Sequence, residues 1–233
     1  MNVDLVEPKA TGRPKAVYRN AAGKRVPGTT TVISRFKESG GLMHWAWQCG
    51  MDGLDINQVR DDAADAGTCC HEMIDVHLRK KPSENFEHRY SEKVRINAGH
   101  AFIGYLEWAE QSKLSVVASE QSLVSEKYQF GGCFDAVLVG GTLRLLDYKT
   151  SSGIYQDMLI QVGGAYSLLW EEHHPDQPLQ GMDLLRISKP KSPDDPVSFE
   201  HRHWSAEIFP IAQRQFILLR EAYDLDKRLK GLL

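Results

Sequence analysis

Residues 128–149 read YQFGGCFDAVLVGGTLRLLDYK, from Tyr128 to Lys149. Two runs of strand-forming residues, Tyr128 to Val139 and Thr142 to Lys149, flank Gly140-Gly141, a hairpin signal. The hairpin brings Asp135 and Asp147 onto neighbouring antiparallel strands. Side chains on a strand alternate faces, so Asp147 and Lys149 point to one side of the sheet and Tyr148 to the other. The run before Asp147, Leu143 to Leu146, is apolar apart from Arg144. An acid and a lysine at the end of such a strand are costly to bury unpaired.

Two carboxylates and a backbone carbonyl are hard oxygen ligands of the kind that hold Mg²⁺ or Mn²⁺. A divalent ion of this type polarises a phosphate oxygen and lowers the pKa of a bound water. A neighbouring lysine can place that water or stabilise the charge that develops on phosphorus. The plain alternative is an Asp–Lys ion pair that closes a hairpin. The strand pattern by itself leaves both readings open.

Upstream of the hairpin, Val116 to Val124 reads as a further strand and carries Glu120. Before it, apolar residues recur at helical spacing from about residue 41 to 112. Leu42, Trp45, Ala46 and Cys49 mark one helix. Ala64, Gly67, Cys70, Ile74 and Leu78 mark a second, over Asp61 to Arg79. Val94, Ala98, Ala101, Phe102 and Tyr105 mark a third, and Lys80 to Asn85 form a loop before it. Trp45 and Trp47 lie two apart on a helix and cannot share a face, so one of them is expected in the core. Pro27 to Thr31 leads into Val32-Ile33, and its threonines suit a helix N-cap. Residues 1–27 are rich in Pro, Gly and charge and read as a leader, with a turn at Asn20 to Lys24.

Downstream, a helix is expected from about Tyr155 to Glu172. Strands at Met182–Ser188 and Val197–Trp204 and a closing helix from Ala206 to Leu229 follow. The expected fold is α/β, one domain over 1–233. Residues 1–112 supply a leader and a helical portion, and 113–233 a sheet with flanking helices.

Composition agrees with a globular chain: 233 residues, 42% hydrophobic and 25% charged. No apolar run approaches a membrane span, and the first ten residues lack a secretory h-region, so a cytoplasmic protein is the default expectation. The net charge of −3 speaks against a protein that coats DNA by charge alone and leaves room for one that grips a few phosphates. Cys49, Cys69, Cys70 and Cys133 form no CxxC pair. Adjacent cysteines on a helix point about 100° apart, so no zinc site or iron–sulfur cluster is expected.

Gly132-Cys133-Phe134-Asp135, eleven intervening residues, then Asp147-Tyr148-Lys149-Thr150-Ser151 resembles the G-x-x-D … D-x-K-T-S core of the RecB-like branch of the PD-(D/E)XK nucleases. Gly67-Thr68-Cys69-Cys70-His71-Glu72 resembles that branch's G-T-x-x-H-E element, and Gln161 to Tyr166 its glutamine and tyrosine on the helix after the lysine strand. The opening Pro27 to Ile33 is similar to that of phage-type and mitochondrial genome-maintenance exonucleases. The resemblance covers about residues 67–166 and implies a restriction-endonuclease-like core, with a central mixed β-sheet flanked by helices. It implies a Mg²⁺- or Mn²⁺-dependent exonuclease acting on DNA with a free or single-stranded end, in bacteria or phage-infected cells. A nonspecific or structure-selective endonuclease and a catalytically idle DNA-end-binding protein are the alternatives. Ring-forming and monomeric relatives both exist, so the oligomeric state stays open.

Carried over, Asp135 and Asp147 would bind metal, with the Tyr148 carbonyl assisting, and Lys149 would be the catalytic lysine. His71 would reach the metal or a phosphate from the helical side, against the alternative of a satisfied core histidine. Glu120 would help a second ion, or is a solvated strand acid. Thr150 and Ser151 would touch DNA phosphate, or cap the loop that follows them. Gln161 would hydrogen-bond near the active centre or DNA.

One departure stands out. Relatives space the glutamine and tyrosine four apart, on one helical face. Here they are five apart, about 140° around an α-helix rather than about 40°. That spacing turns Tyr166 away from Gln161 and toward the core, and weakens its expected role at DNA.

Overall fold

The computed structural model describes residues 17–37, 40–80, 87–188 and 195–233. Most of the expected leader and of the loop after Lys80 lie outside these residues. The described chain opens on a small turn. Arg19 bridges Arg25, the Asn20 amide donates to Lys24 O at 2.9 Å, and Gly23 takes the positive φ that closes it.

Four helices come first: α1 (Thr29–Ser34), α2 (Gly40–Met51), α3 (Ile56–Arg79) and α4 (Glu92–Ser112). Side chains start two of them. Asp55 Oδ1 accepts from the Asn57 and Gln58 amides at the head of α3, and Ser91 Oγ accepts from Val94 N at the head of α4. The threonine cap expected for α1 is overturned: Gly28 is its N-cap, with no side-chain bond. Thr29 Oγ1 instead donates to Gly131 O at 3.1 Å, so the hydroxyl ties α1 to the sheet.

The sheet follows as β1 (Ser115–Ser125), β2 (Phe130–Val139) and β3 (Leu143–Lys149), with β4 (Gly181–Ile187) and β5 (Phe199–Ser205) after the next helical stretch. That stretch is α5 (Gln156–Leu159), a π-helical segment (Ile160–Tyr166) and α6 (Ser167–His173). The chain closes with α7 (Ile208–Lys230). The strand order is β1-β2-β3-β4-β5. All pairs are antiparallel except β3 with β4. The fold is therefore α/β, as the strand and helix signals led us to expect, with the mixed sheet that the resemblance implied. Gly141 at φ 84° makes the β2–β3 turn.

Helices cover both faces of the sheet. On one side α3 and α4 bury Cys70, Ile74, Ala101 and Tyr105 against Leu138, Leu146, Tyr148 and Leu185. On the other, α1, the helical stretch after β3, and α7 bury Ile33, Val162, Leu169 and Phe216 against Phe130, Leu145 and Leu184. Leu145 thus faces one layer and Tyr148 the other, the alternation expected of β3. Among the described residues no helix is long and apolar enough to cross a membrane.

α7 approaches the π-helical segment closely. A Cβ on Gly164 would lie 2.5 Å from Ala212 O, a backbone atom that cannot swing aside. Gly164→Ala is expected to cost about 2 kcal/mol by forcing the two helices apart. Gly50→Ala in α2, where an added Cβ meets nothing within 4 Å, is expected to gain up to about 1 kcal/mol from helix propensity. Urea unfolding midpoints of the two variants check the contrast. Equal midpoints would show that α7 does not need the gap.

Candidate metal centre

The β2–β3 ladder runs only from Val139↔Leu143 to Ala136↔Leu146. Beyond that point β2 stays paired with β1, and β3 with β4. The sheet forks there, and the next residues in the register are Asp135 and Asp147, facing each other. Instead of a ladder bond, Tyr148 N donates to Asp135 Oδ2 at 2.8 Å. Both aspartates are 1% exposed.

Two further donors reach the fork. His71 comes from α3 on one side of the sheet, with Nδ1 3.4 Å from Asp135 Oδ2 and 3.8 Å from Glu120 Oε1. His71, Glu120 and Asp135 each offer a ligand atom, all within 4.8 Å of one another. Glu120 sits in β1 at φ 48°, in the left-handed region, which costs a non-glycine residue on the order of 1 kcal/mol. Strain of this sort concentrates at functional sites. Here it accompanies a carboxylate aimed at the cluster rather than at solvent. Its neighbour Cys133 donates to Glu120 Oε2 at 3.5 Å.

Asp147 is the most exceptional group. Neither of its buried oxygens accepts a hydrogen bond among the described residues. Lys149 Nζ lies 2.5 Å from Asp147 Oδ2 as an ion pair, and its hydrogen bond goes to Gln161 Oε1 at 3.2 Å. Buried carboxylates normally collect donors. Three buried or half-buried carboxylates thus stand against one lysine and one histidine: Glu120 and Asp135 cluster with His71, and Asp147, outside that cluster, pairs with Lys149. Such a surplus of buried negative charge favours a cation, and the donor set of carboxylates and one imidazole suits a divalent ion. Burial, the Tyr105 phenol and the nearby charges of Glu120 and Asp147 push the Tyr148 phenol well above its ordinary value. It stays protonated beneath the edge of the His71 ring, 5.7 Å between centroids.

The five-residue spacing of Gln161 and Tyr166 has a physical answer. Both lie in the π-helical segment, whose i→i+5 bonding stacks residues five apart. Gln161 Nε2 donates to Tyr166 OH at 2.6 Å. The expectation that they diverge is therefore corrected: it assumed an α-helical period. Tyr166, though buried, fixes the Gln161 amide, which in turn orients Lys149.

The glycines of both short motifs are explained by what they admit. A Cβ on Gly132 would lie within 3 Å of Thr29, Tyr166 and Leu169 side chains. A Cβ on Gly67 would lie 3.1 Å from Thr150 Oγ1, so α3 can approach the loop after Lys149. Ser151 Oγ donates to Gly153 O at 2.7 Å and closes that loop.

Apart from Cys133, which bonds Glu120, the remaining cysteines, tryptophans and histidines fall away from the fork. Cys49, Cys69 and Cys70 are buried and Cys133 half-buried, none of them in a disulfide. Burial pushes the Cys70 thiol up to about 12, so it is no thiolate ligand at neutral pH. Trp47 is exposed and stacks on His44, while Trp45 is half-buried. The expectation of one core tryptophan on α2 is met only in part. His201 and His203 bind the buried Asp183 on β4, with Arg144 beside them. That cluster went unnoticed in the sequence because Asp183 sits in an apolar strand with no partner nearby in the chain.

No protein-family model matches the chain, and no curated protein matches it. Among solved structures, it is similar to the alkaline exonuclease LHK-Exo from Laribacter hongkongensis, at 14% identity and TM-score 0.33, over 73% of this chain and 92% of that one. A second structure, LHK-Exo in complex with dAMP, aligns at 15% identity and TM-score 0.34, over 74% and 92% of the two chains.

Proposed function

We propose that this chain is a metal-dependent nuclease that hydrolyses phosphodiester bonds of DNA, acting as an exonuclease at DNA ends. The observation that carries the reading is the fork itself: His71, Glu120 and Asp135 converge on one side of it, and the buried Asp147, next in register to Asp135, has Lys149 as its near partner. A structural ion pair closing a hairpin would leave no reason for the histidine and two further acids. In this reading Asp135, Asp147, His71 and Glu120 hold Mg²⁺ or Mn²⁺, with the Tyr148 carbonyl assisting. The imidazole favours Mn²⁺ of the two.

A bound ion would polarise the scissile phosphate and make a bound water acidic enough to attack it. The protein's own groups do the rest. Lys149, held by Gln161 and through it by Tyr166, stabilises the negative charge that grows on the phosphate oxygens. Thr150 and Ser151 line the loop next to it and meet the neighbouring phosphate. Tyr166 positions Gln161, whose amide donates to its hydroxyl, rather than touching DNA, because its ring is buried. The fork supplies local grip, consistent with a chain whose net charge is −3.

End-labelled single- and double-stranded DNA, with Mn²⁺, Mg²⁺ or EDTA, tests this. Short products in either metal, faster in Mn²⁺, and none in EDTA are expected, while a covalently closed circle survives. A nicked or linearised circle would make the activity endonucleolytic. DNA binding without turnover in both metals would make the chain an end-binding protein and overturn the reading.

A further inference from the structure

α7 is apolar on two faces. Phe209, Ala212 and Phe216 are buried against the π-helical segment and β2. The opposite side carries Ile211, Gln215, Leu218, Ala222, Leu225 and Leu229, at alternating steps of four and three. This is the heptad seam of a helix that packs along another helix, with Ile211, Leu218 and Leu225 repeating every seven residues. Ile211 is 69% exposed, Leu218 47%, Leu225 57% and Leu229 66%. A helix docked on a core by one face normally presents polar residues on the other. The stripe runs from residue 211 to 229, about 27 Å of helix.

The charges beside the seam select its partner. Glu221 and Arg228 flank one edge, each directly before a seam residue, and Asp226 flanks the other. Suppose two copies of α7 lie antiparallel with Ala222 of one against Leu225 of the second. Leu218 then meets Leu229 of the second copy, and Glu221 lies beside its Arg228. Two-fold symmetry makes each of these contacts twice. In a parallel pair, Glu221 would instead fall beside Asp226 of the second copy, whose carboxylate Arg35 and Lys230 already hold, and would lose its cationic partner.

We infer that two copies of this chain pair through α7, antiparallel, with Glu221 and Arg228 as reciprocal partners. The inference is independent of the proposed activity. Sedimentation equilibrium of the full chain at tens of micromolar is expected to give twice the monomer mass. Leu218→Lys with Leu225→Lys is expected to give a monomer whose circular dichroism matches the parent. Glu221→Arg or Arg228→Glu alone should weaken association by roughly fivefold to tenfold, and the two together should restore it. A monomeric parent, a mass other than that of a dimer, or a dimer indifferent to the charge exchange would each overturn it.

Discussion

Asp147→Asn is expected to lower kcat/KM on end-labelled DNA by roughly a thousandfold or more, while the thermal midpoint stays level or rises. The two effects share one cause. Asp147 is buried at 1% exposure, and apart from the Lys149 ammonium no donor among the described residues reaches its oxygens. Its charge adds to the buried acids of the fork and has the Lys149 pair as its compensation. Asparagine keeps the shape and discards the charge. The folded protein sheds a buried charge, and Lys149 keeps its bond to Gln161. The chemistry loses a ligand for which a neutral amide is a poor substitute. Residues retained against stability in this way are characteristic of function-bearing sites. Turnover by the asparagine variant at a tenth of the parent rate would remove Asp147 from the metal site. A fall in its thermal midpoint would mean that the carboxylate is structural.

Lys149→Met should behave in the opposite way toward stability. It removes the one lysine from the fork and leaves Asp147 buried without a counter-charge, and losing half of such a pair costs about 3 kcal/mol. Activity should disappear as well. Adding Asp147→Asn to Lys149→Met is expected to recover most of that stability and none of the activity, a coupling that a double-mutant cycle measures directly. Mn²⁺ should also raise the melting temperature of Lys149→Met, since an ion that binds only the folded state stabilises it by mass action. If the two substitutions add without coupling, the short approach of Lys149 to Asp147 contributes nothing, and the ion-pair account of the fork fails.

The hairpin was legible because its signals are local. Gly140-Gly141 marks the turn, and strand alternation sorts Asp147 and Lys149 from Tyr148 without knowledge of the rest of the chain. The helical run before it was legible from apolar spacing alone. His71 and Glu120 were candidates only by resemblance, since nothing within ten residues of either predicts that a helix on one side of the sheet will meet a strand edge. Glu120 was the harder case: its aim depends on a left-handed backbone at one strand residue, which composition does not announce. Asp183 with His201 and His203 escaped for a similar reason, because its partners lie on the next strand. The relation of Gln161 to Tyr166 was misread through a wrong period. Gly163 and Gly164 inside the segment mark a close helix approach, but they do not by themselves distinguish five-residue from four-residue bonding.

The fork draws its groups from both layers of the molecule. His71 arrives with α3, whereas Gln161 and Tyr166 arrive with the helical stretch on the other side of the sheet. Chelation would therefore rivet α3 to the sheet, adding a coordinate link to layers already joined by apolar contact and by single polar bonds such as Ser119 Oγ to Asp75 Oδ1. Any breathing of the α3–α4 slab would withdraw the imidazole and disarm the centre without disturbing the opposite slab. Occupancy by the ion would in turn slow that breathing, coupling the catalytic readiness of one edge to the rigidity of the whole.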